Sequence, residues 1–192
     1  SGYELVRRGW IEEGKLDIYA AKKLGIKTVN FHFYPPNQTK FFGIYRKLIL
    51  DNIVRSLKEI VNYANSESIA VILENIAAPK ELVSIRDYKY VISHVPHLKV
   101  HLDIGHAFIE NGMNRIRDYI FTFKDNLEHV HMHDNHGDDD EHLPLGKGRI
   151  NFIQVAKWLK EINYDKTITL EVFTSKEDAK ESMLKFKKIL SE

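Results

Sequence analysis

Cysteine is absent from all 192 residues. No disulfide and no thiolate metal site can form, so any metal must be held by histidine, aspartate and glutamate. An excess of one charge is lacking too. The 28 Lys and Arg stand against 27 Asp and Glu, and charge alone announces no polyanion partner. Long apolar runs are missing: the longest reach about five residues, far below the ~20 that a membrane span requires. No basic segment followed by an apolar core opens the chain, and the expected setting is the cytoplasm. Low-complexity blocks, long linkers and sequence repeats are also absent. The length suits one sizeable core, read as a single domain over residues 1–192.

What is present is an alternation of short apolar strands with longer helical stretches, the pattern of βα units around a parallel sheet. Strands are expected at roughly 28–33, 69–75, 98–105, 127–134 and 167–173. Helices are expected over 4–24, with Leu5, Trp10, Leu16 and Ala20 on the apolar face and Gly25 as the stop, and over 45–64. Pro79 fits the first turn of a helix over 80–95, Asn151 can cap one over 152–162, and a last helix starts near Lys176.

The strands share a phase. One alternating set is apolar in each, as in Val100/Leu102/Ile104 and Val130/Met132, and should face the helices. The opposite set ends in His32, Glu74, Asp103, His131 and Glu171. Taken singly, Glu74 and Glu171 read as solvated strand ends, but accidents would not share phase and strand end five times. The C-terminal strand ends are where (β/α)-barrels keep their chemistry. A complete eight-unit barrel needs about 250 residues, so the expected fold class is α/β, a TIM (β/α)8-type barrel that is N-terminally incomplete. About five βα units are present and roughly the first three are lacking. The unpaired strand edges of such a piece favour association with another chain, including a homo-oligomer.

Other histidines invite blander readings. His129, deeper in its strand, reads as a hydrogen-bonded core histidine. His133 and His136 read as loop residues that either hold the ligands in place or are solvated, and His94, His97 and His101 as structural or exposed. The acidic run Asp138-Asp139-Asp140-Glu141-His142 is either a plain turn or a loop that brings Asp140 and His142 to the ligand-rich strand end; Gly146 and Gly148 let it fold tightly. Oxygen ligands with imidazole suit Zn, Mn, Co or Mg.

These blocks resemble the xylose-isomerase-like barrels, which comprise sugar isomerases and epimerases together with apurinic endonucleases of the endonuclease IV type. The resemblance rests on His32, on Leu73-Glu74-Asn75 and on Asp103-Ile104-Gly105-His106. It continues through Val130-His131-Met132-His133-Asp134 and Asp140-Glu141-His142 with Leu145-Gly146-Lys147-Gly148, and ends at Leu170-Glu171. It implies a metal held by Glu74, Asp103, His131 and Glu171, with Glu74 and Glu171 as the catalytic proton-transfer pair. His32, His106, Asp140 and His142 become candidates for additional metal or substrate contacts, as the rigid strand-end set's looser outer set. Lys147 stands where an acidic residue is common in the family and hints at an anionic substrate.

The expected activity is a divalent-metal-dependent sugar or sugar-phosphate isomerisation or epimerisation through an ene-diolate. The alternative is zinc-dependent cleavage of abasic DNA, against which the balanced charge and scarce arginine clusters count. A third reading is a non-catalytic metal- or sugar-binding remnant.

Overall fold

The computed structural model describes residues 3–33, 44–77, 84–109 and 112–191. The chain divides into two compact units, Ser1–Glu74 with Lys80–Lys99, and Asn75–Pro79 with Val100–Glu192.

The first unit runs α1 (Glu4–Lys23), β1 (Thr28–His32), α2 (Ile44–Ser66), β2 (Ala70–Glu74) and α3 (Ile85–His94). β1 and β2 pair in parallel, with Thr28 opposite Ala70 and His32 opposite Glu74. The expected apolar face of α1 is wrong. Leu5, Trp10 and Leu16 are 86%, 66% and 67% exposed, and Ala20 is exposed too. The helix instead buries Arg7, Ile11, Gly14, Ile18 and Ala21, an equally regular three-four spacing. Gly14 explains the choice: a Cβ there would lie 3.2 Å from Ile60 Cδ1 and 3.4 Å from the Phe31 ring. The helix packs closely at this side-chain-free position, and Arg7 is accommodated by ion pairs to Glu4 and Glu59. Pro79 lies outside the described residues. α3 begins only at Ile85, where Ser84 and Asp87 form a reciprocal capping box.

The second unit takes up β3 (Lys99–Asp103) from Val100. It continues through α4 (Ile104–Phe108), α5 (Gly112–Phe123), β4 (Leu127–Met132), α6 (Phe152–Glu161), β5 (Thr167–Leu170) and α7 (Lys176–Ser191). β3 pairs with β4 and β4 with β5, again in parallel. Asn151 caps α6 as expected, accepting from the Gln154 amide. Two features differ from expectation. β3 stops at Asp103, because that carboxylate accepts the His106 amide at 2.7 Å and starts a helical turn, so Ile104 and Gly105 are helical. α5 was not foreseen, although Ile116, Tyr119, Ile120 and Phe123 bury a face at helical spacing. Among the described residues no helix is long and apolar enough to cross a membrane.

Candidate metal centre

Register builds the centre of the second unit. An irregularity between Val100 and His101 brings His101 opposite His129 and Asp103 opposite His131; His131 in turn faces Thr169 on β5, two residues before Glu171. Three strand ends thus deliver Asp103, His131 and Glu171, and a ligand atom from each lies within 4.8 Å of the others. His131 Nδ1 is 3.1 Å from Glu171 Oε1 and 3.7 Å from Asp103 Oδ2. Asp103 is fully buried. Its strand is held by Asn75, whose side chain donates to the Asp103 carbonyl (3.0 Å) and accepts from its amide (2.8 Å).

The two oxygens of Asp103 do different things. Oδ1 accepts the His106 amide and lies 3.2 Å from His133 Nε2. Oδ2 is buried with no hydrogen-bond partner among the described residues and sits beside His131. A buried carboxylate oxygen costs free energy unless paired, and a cation between Asp103, His131 and Glu171 would satisfy it. The donor set of two carboxylates and an imidazole suits such an ion. Burial opposes the charge on Asp103, but His133 and His106 outweigh it and hold its carboxyl well below the usual range. The His131 imidazole likewise lowers Glu171, so this carboxylate is ionised and basic in form.

A second group lies next to the first. His106, His133, Asp140 and His142 each present a ligand atom within 4.8 Å of the others. His106 Nδ1 meets the Asn75 carbonyl at 2.9 Å, and its Nε2 meets Asp140 Oδ2 at 3.1 Å. His142, at φ 49°, places Nδ1 2.9 Å from the Glu171 carbonyl. Its ring stacks between His133 (4.0 Å) and Phe173 (4.1 Å). Burial pushes His106 down, yet Asp140 and Asp103 prevail and raise it to about 9; they raise His133 too, again against burial. Asp140 is lowered although burial opposes it.

The structure decides between the two readings of His133. This histidine is no solvated loop residue but fully buried, set between Asp103 Oδ1 (3.2 Å) and Asp140 Oδ1 (3.5 Å). The missed signal is Gly105, because any Cβ at that position would overlap the His133 ring. Asp134 was also overlooked. Its Oδ2 accepts the Gly146 and Gly148 amides (2.7 and 2.9 Å) and its Oδ1 those of Asn135 and Ile150 (3.0 and 3.1 Å). Its backbone bridges antiparallel to Leu143, so the loop bearing Asp140 and His142 is closed at both ends.

In the first unit Glu74 is buried at the end of β2, accepts from Asn30 and has His32 Nε2 at 3.3 Å. His129 is hydrogen-bonded, as expected, with Nδ1 2.6 Å from Thr167 Oγ1, but it is half-buried rather than part of the core. His101 is buried, the first of its two readings, and His136 is exposed against Glu141. Lys147 is exposed on a turn in which its amide donates to the Pro144 carbonyl.

Two uncharacterised proteins of Methanocaldococcus jannaschii are 33% identical over 151 residues (79% of this chain, 57% of that protein) and 35% identical over 176 (88% and 58%). The chain therefore spans somewhat over half the length of these relatives. A crystallised D-tagatose 3-epimerase-like protein is 33% identical and superposes with a TM-score of 0.84, over 100% of this chain and 72% of its own. Two more distant structures share the fold. D-psicose 3-epimerase with D-tagatose from Clostridium cellulolyticum H10 has 18% identity and a TM-score of 0.78, over 99% of this chain and 73% of its own. The IOLI protein with a zinc atom has 19% identity and a TM-score of 0.75, over 98% and 71%. Residues 4–189, nearly the whole chain, match the model of one family. This chain belongs to the xylose isomerase-like TIM barrel family.

Proposed function

We propose that the chain carries the metal-binding and proton-transfer machinery of a sugar or sugar-phosphate isomerase or epimerase. One observation carries the reading: Asp103, His131 and Glu171 converge around a buried carboxylate oxygen that has no hydrogen-bond partner among the described residues. The 33% identity to a D-tagatose 3-epimerase-like protein supports it. Glu74 is proposed as fourth ligand and second proton-transfer group on the resemblance alone. His32 is proposed as a neighbouring substrate or metal contact on the same ground, and exposed Lys147 as an anchor for an anionic group.

A divalent ion of the Zn, Mn, Co or Mg kind would supply positive charge to a substrate carbonyl and its neighbouring hydroxyl, acidifying the C–H between them. Glu171, held ionised by His131, takes that proton. The C–H electron pair becomes a C=C bond and the negative charge settles on oxygen as an ene-diolate. Return of a proton to the opposite face of the same carbon gives the epimer, and return to the adjacent carbon gives the isomer. A positioned acid–base pair contributes on the order of 10²–10⁴ in rate.

The test is proton NMR of ketoses and ketose phosphates in deuterated water with each metal in turn. Deuterium should enter beside the carbonyl, EDTA should stop it, and Glu171→Gln should not support it. A second reading, multi-zinc cleavage of abasic DNA, is favoured by the assembled group His106, His133, Asp140 and His142. Zinc-dependent nicking of an abasic duplex without sugar exchange would establish it in place of the first. Metal binding with neither activity would leave a binding module.

A further inference from the structure

We propose that His101, His129 and His131 form an all-imidazole site, one row deeper than the strand-end carboxylates. It would take a divalent transition metal of the zinc, nickel or copper kind and discriminate against manganese and magnesium. The proposal goes beyond the catalytic reading and does not depend on it.

The register makes the site. Because β3 shifts against β4 between Val100 and His101, His101 stands opposite His129, and Asp103 opposite His131 two residues on. Without that irregularity the two histidines of the deeper row would not be paired. The rings then gather closely. His101 lies 3.9 Å from His131 and 4.7 Å from His129 between centroids, and His129 lies 5.1 Å from His131, all edge to face. One nitrogen from each falls within 4.8 Å of the others. Zinc–nitrogen bonds of about 2.0–2.1 Å would draw them to roughly 3.4 Å apart, a modest rotation of each ring.

The surroundings suit ligation. A ligating imidazole usually has its other nitrogen held by a neighbour, which fixes tautomer and ring plane. His129 has this: Nδ1 is 2.6 Å from Thr167 Oγ1, while Nε2 is 3.1 Å from the hydroxyl of Thr169, a group that can rotate away. His101 is 1% exposed. The group itself contains no carboxylate, and three neutral imidazoles favour Zn, Ni and Cu while offering Mn and Mg none of the oxygen donors they prefer. His131 belongs to both groups, with Nδ1 turned toward Glu171 and Asp103, so a metal in the deeper row would abut the strand-end centre.

The experiment titrates the protein at pH 7.5 with Ni²⁺ and, separately, with Mn²⁺, and counts ions per chain. His101→Gln and His129→Gln should each remove one Ni²⁺ equivalent, or weaken it at least tenfold, and should leave Mn²⁺ binding unchanged. Unaltered Ni²⁺ stoichiometry and affinity in both variants would overturn the proposal, as would equal losses of Ni²⁺ and Mn²⁺. His129 is only half-buried, so should His101→Gln not fold, His129→Gln decides alone. Sugar exchange is expected to persist in His129→Gln, which separates failure of this site from failure of the catalytic reading.

Discussion

The two ligand groups of the second unit are built by different means. Asp103, His131 and Glu171 stand at or just beyond the ends of adjacent parallel strands, and backbone pairing sets their spacing. His106, His133, Asp140 and His142 come from a one-turn helix, the residue just past β4 and a loop, where no ladder fixes them. Yet the second group is hardly looser. Asp103 itself starts the turn that carries His106, Gly105 leaves room for His133, and Asp134 gathers four amides at the foot of the loop. Strand-end sites are preorganised by the sheet, whereas loop sites need buried residues that never touch the ligand. His106, Asp140 and His142, expected in the looser outer set, thus have more support than a loop position implies.

That contrast can be broken by substitution. The largest effect should be on the strand-end group: Glu171→Gln keeps shape but removes basicity, so turnover should fall by about 10²–10⁴ with the circular dichroism spectrum unchanged. Full activity on a substrate the unaltered protein accepts would show that the proton goes elsewhere. Next, Asp134→Ala leaves four amides without their acceptor. At roughly 1–3 kcal/mol for a buried unsatisfied group, a stability loss of about 3 kcal/mol or more is expected in urea unfolding. Ion binding should be lost at the second group and retained at the first; equal loss at both would mean that the two are one cooperative unit. Smaller again, Gly105→Ala must displace the His133 ring and should cost about 1–3 kcal/mol, the usual range for overpacking. A crystal structure with His133 unmoved would refute the close-approach argument.

Much of the strand-end group was legible beforehand because period two and a shared strand end are sequence properties. Asp103, His131 and Glu171 follow from counting alternate residues. Asp134, Gly105 and Asn75 were not legible, since their roles are to fill or cap a space defined by residues distant in sequence: Asp134 contacts amides up to 16 positions on, and Asn75 pairs with Asp103. The misread face of α1 has a related cause. Leu5, Trp10 and Leu16 make an apolar pattern as convincing as Ile11, Ile18 and Ala21, and only the contact of Gly14 with Ile60 and Phe31 selects between them. Periodicity finds a face, but small residues decide which face is inside.

The finest distinction between the groups is in their protons. In the metal-free protein His106 has its pKa raised to about 9 by Asp140 and Asp103 against the opposing effect of burial. Its folded value lies above the ordinary 6.5, so its contribution to stability is complete below about pH 6.5 and disappears as pH climbs through about 9. An ion needs the imidazole lone pair, so below pH 9 it must displace that proton, which alone makes affinity at the second group rise about tenfold per pH unit between 7 and 9, and His133, also raised, adds to the rise. Asp103, Asp140 and Glu171 are all lowered and release no proton in that window. Calorimetric titration with Zn²⁺ at pH 7.5, in buffers of differing ionisation enthalpy, counts the protons released. His106→Gln should release about one fewer than the unaltered protein, while His131→Gln, which spares this imidazole, should still show the proton that His106 gives up. If His106→Gln releases as many protons as the unaltered protein, the carboxylates around His106 do not hold it charged.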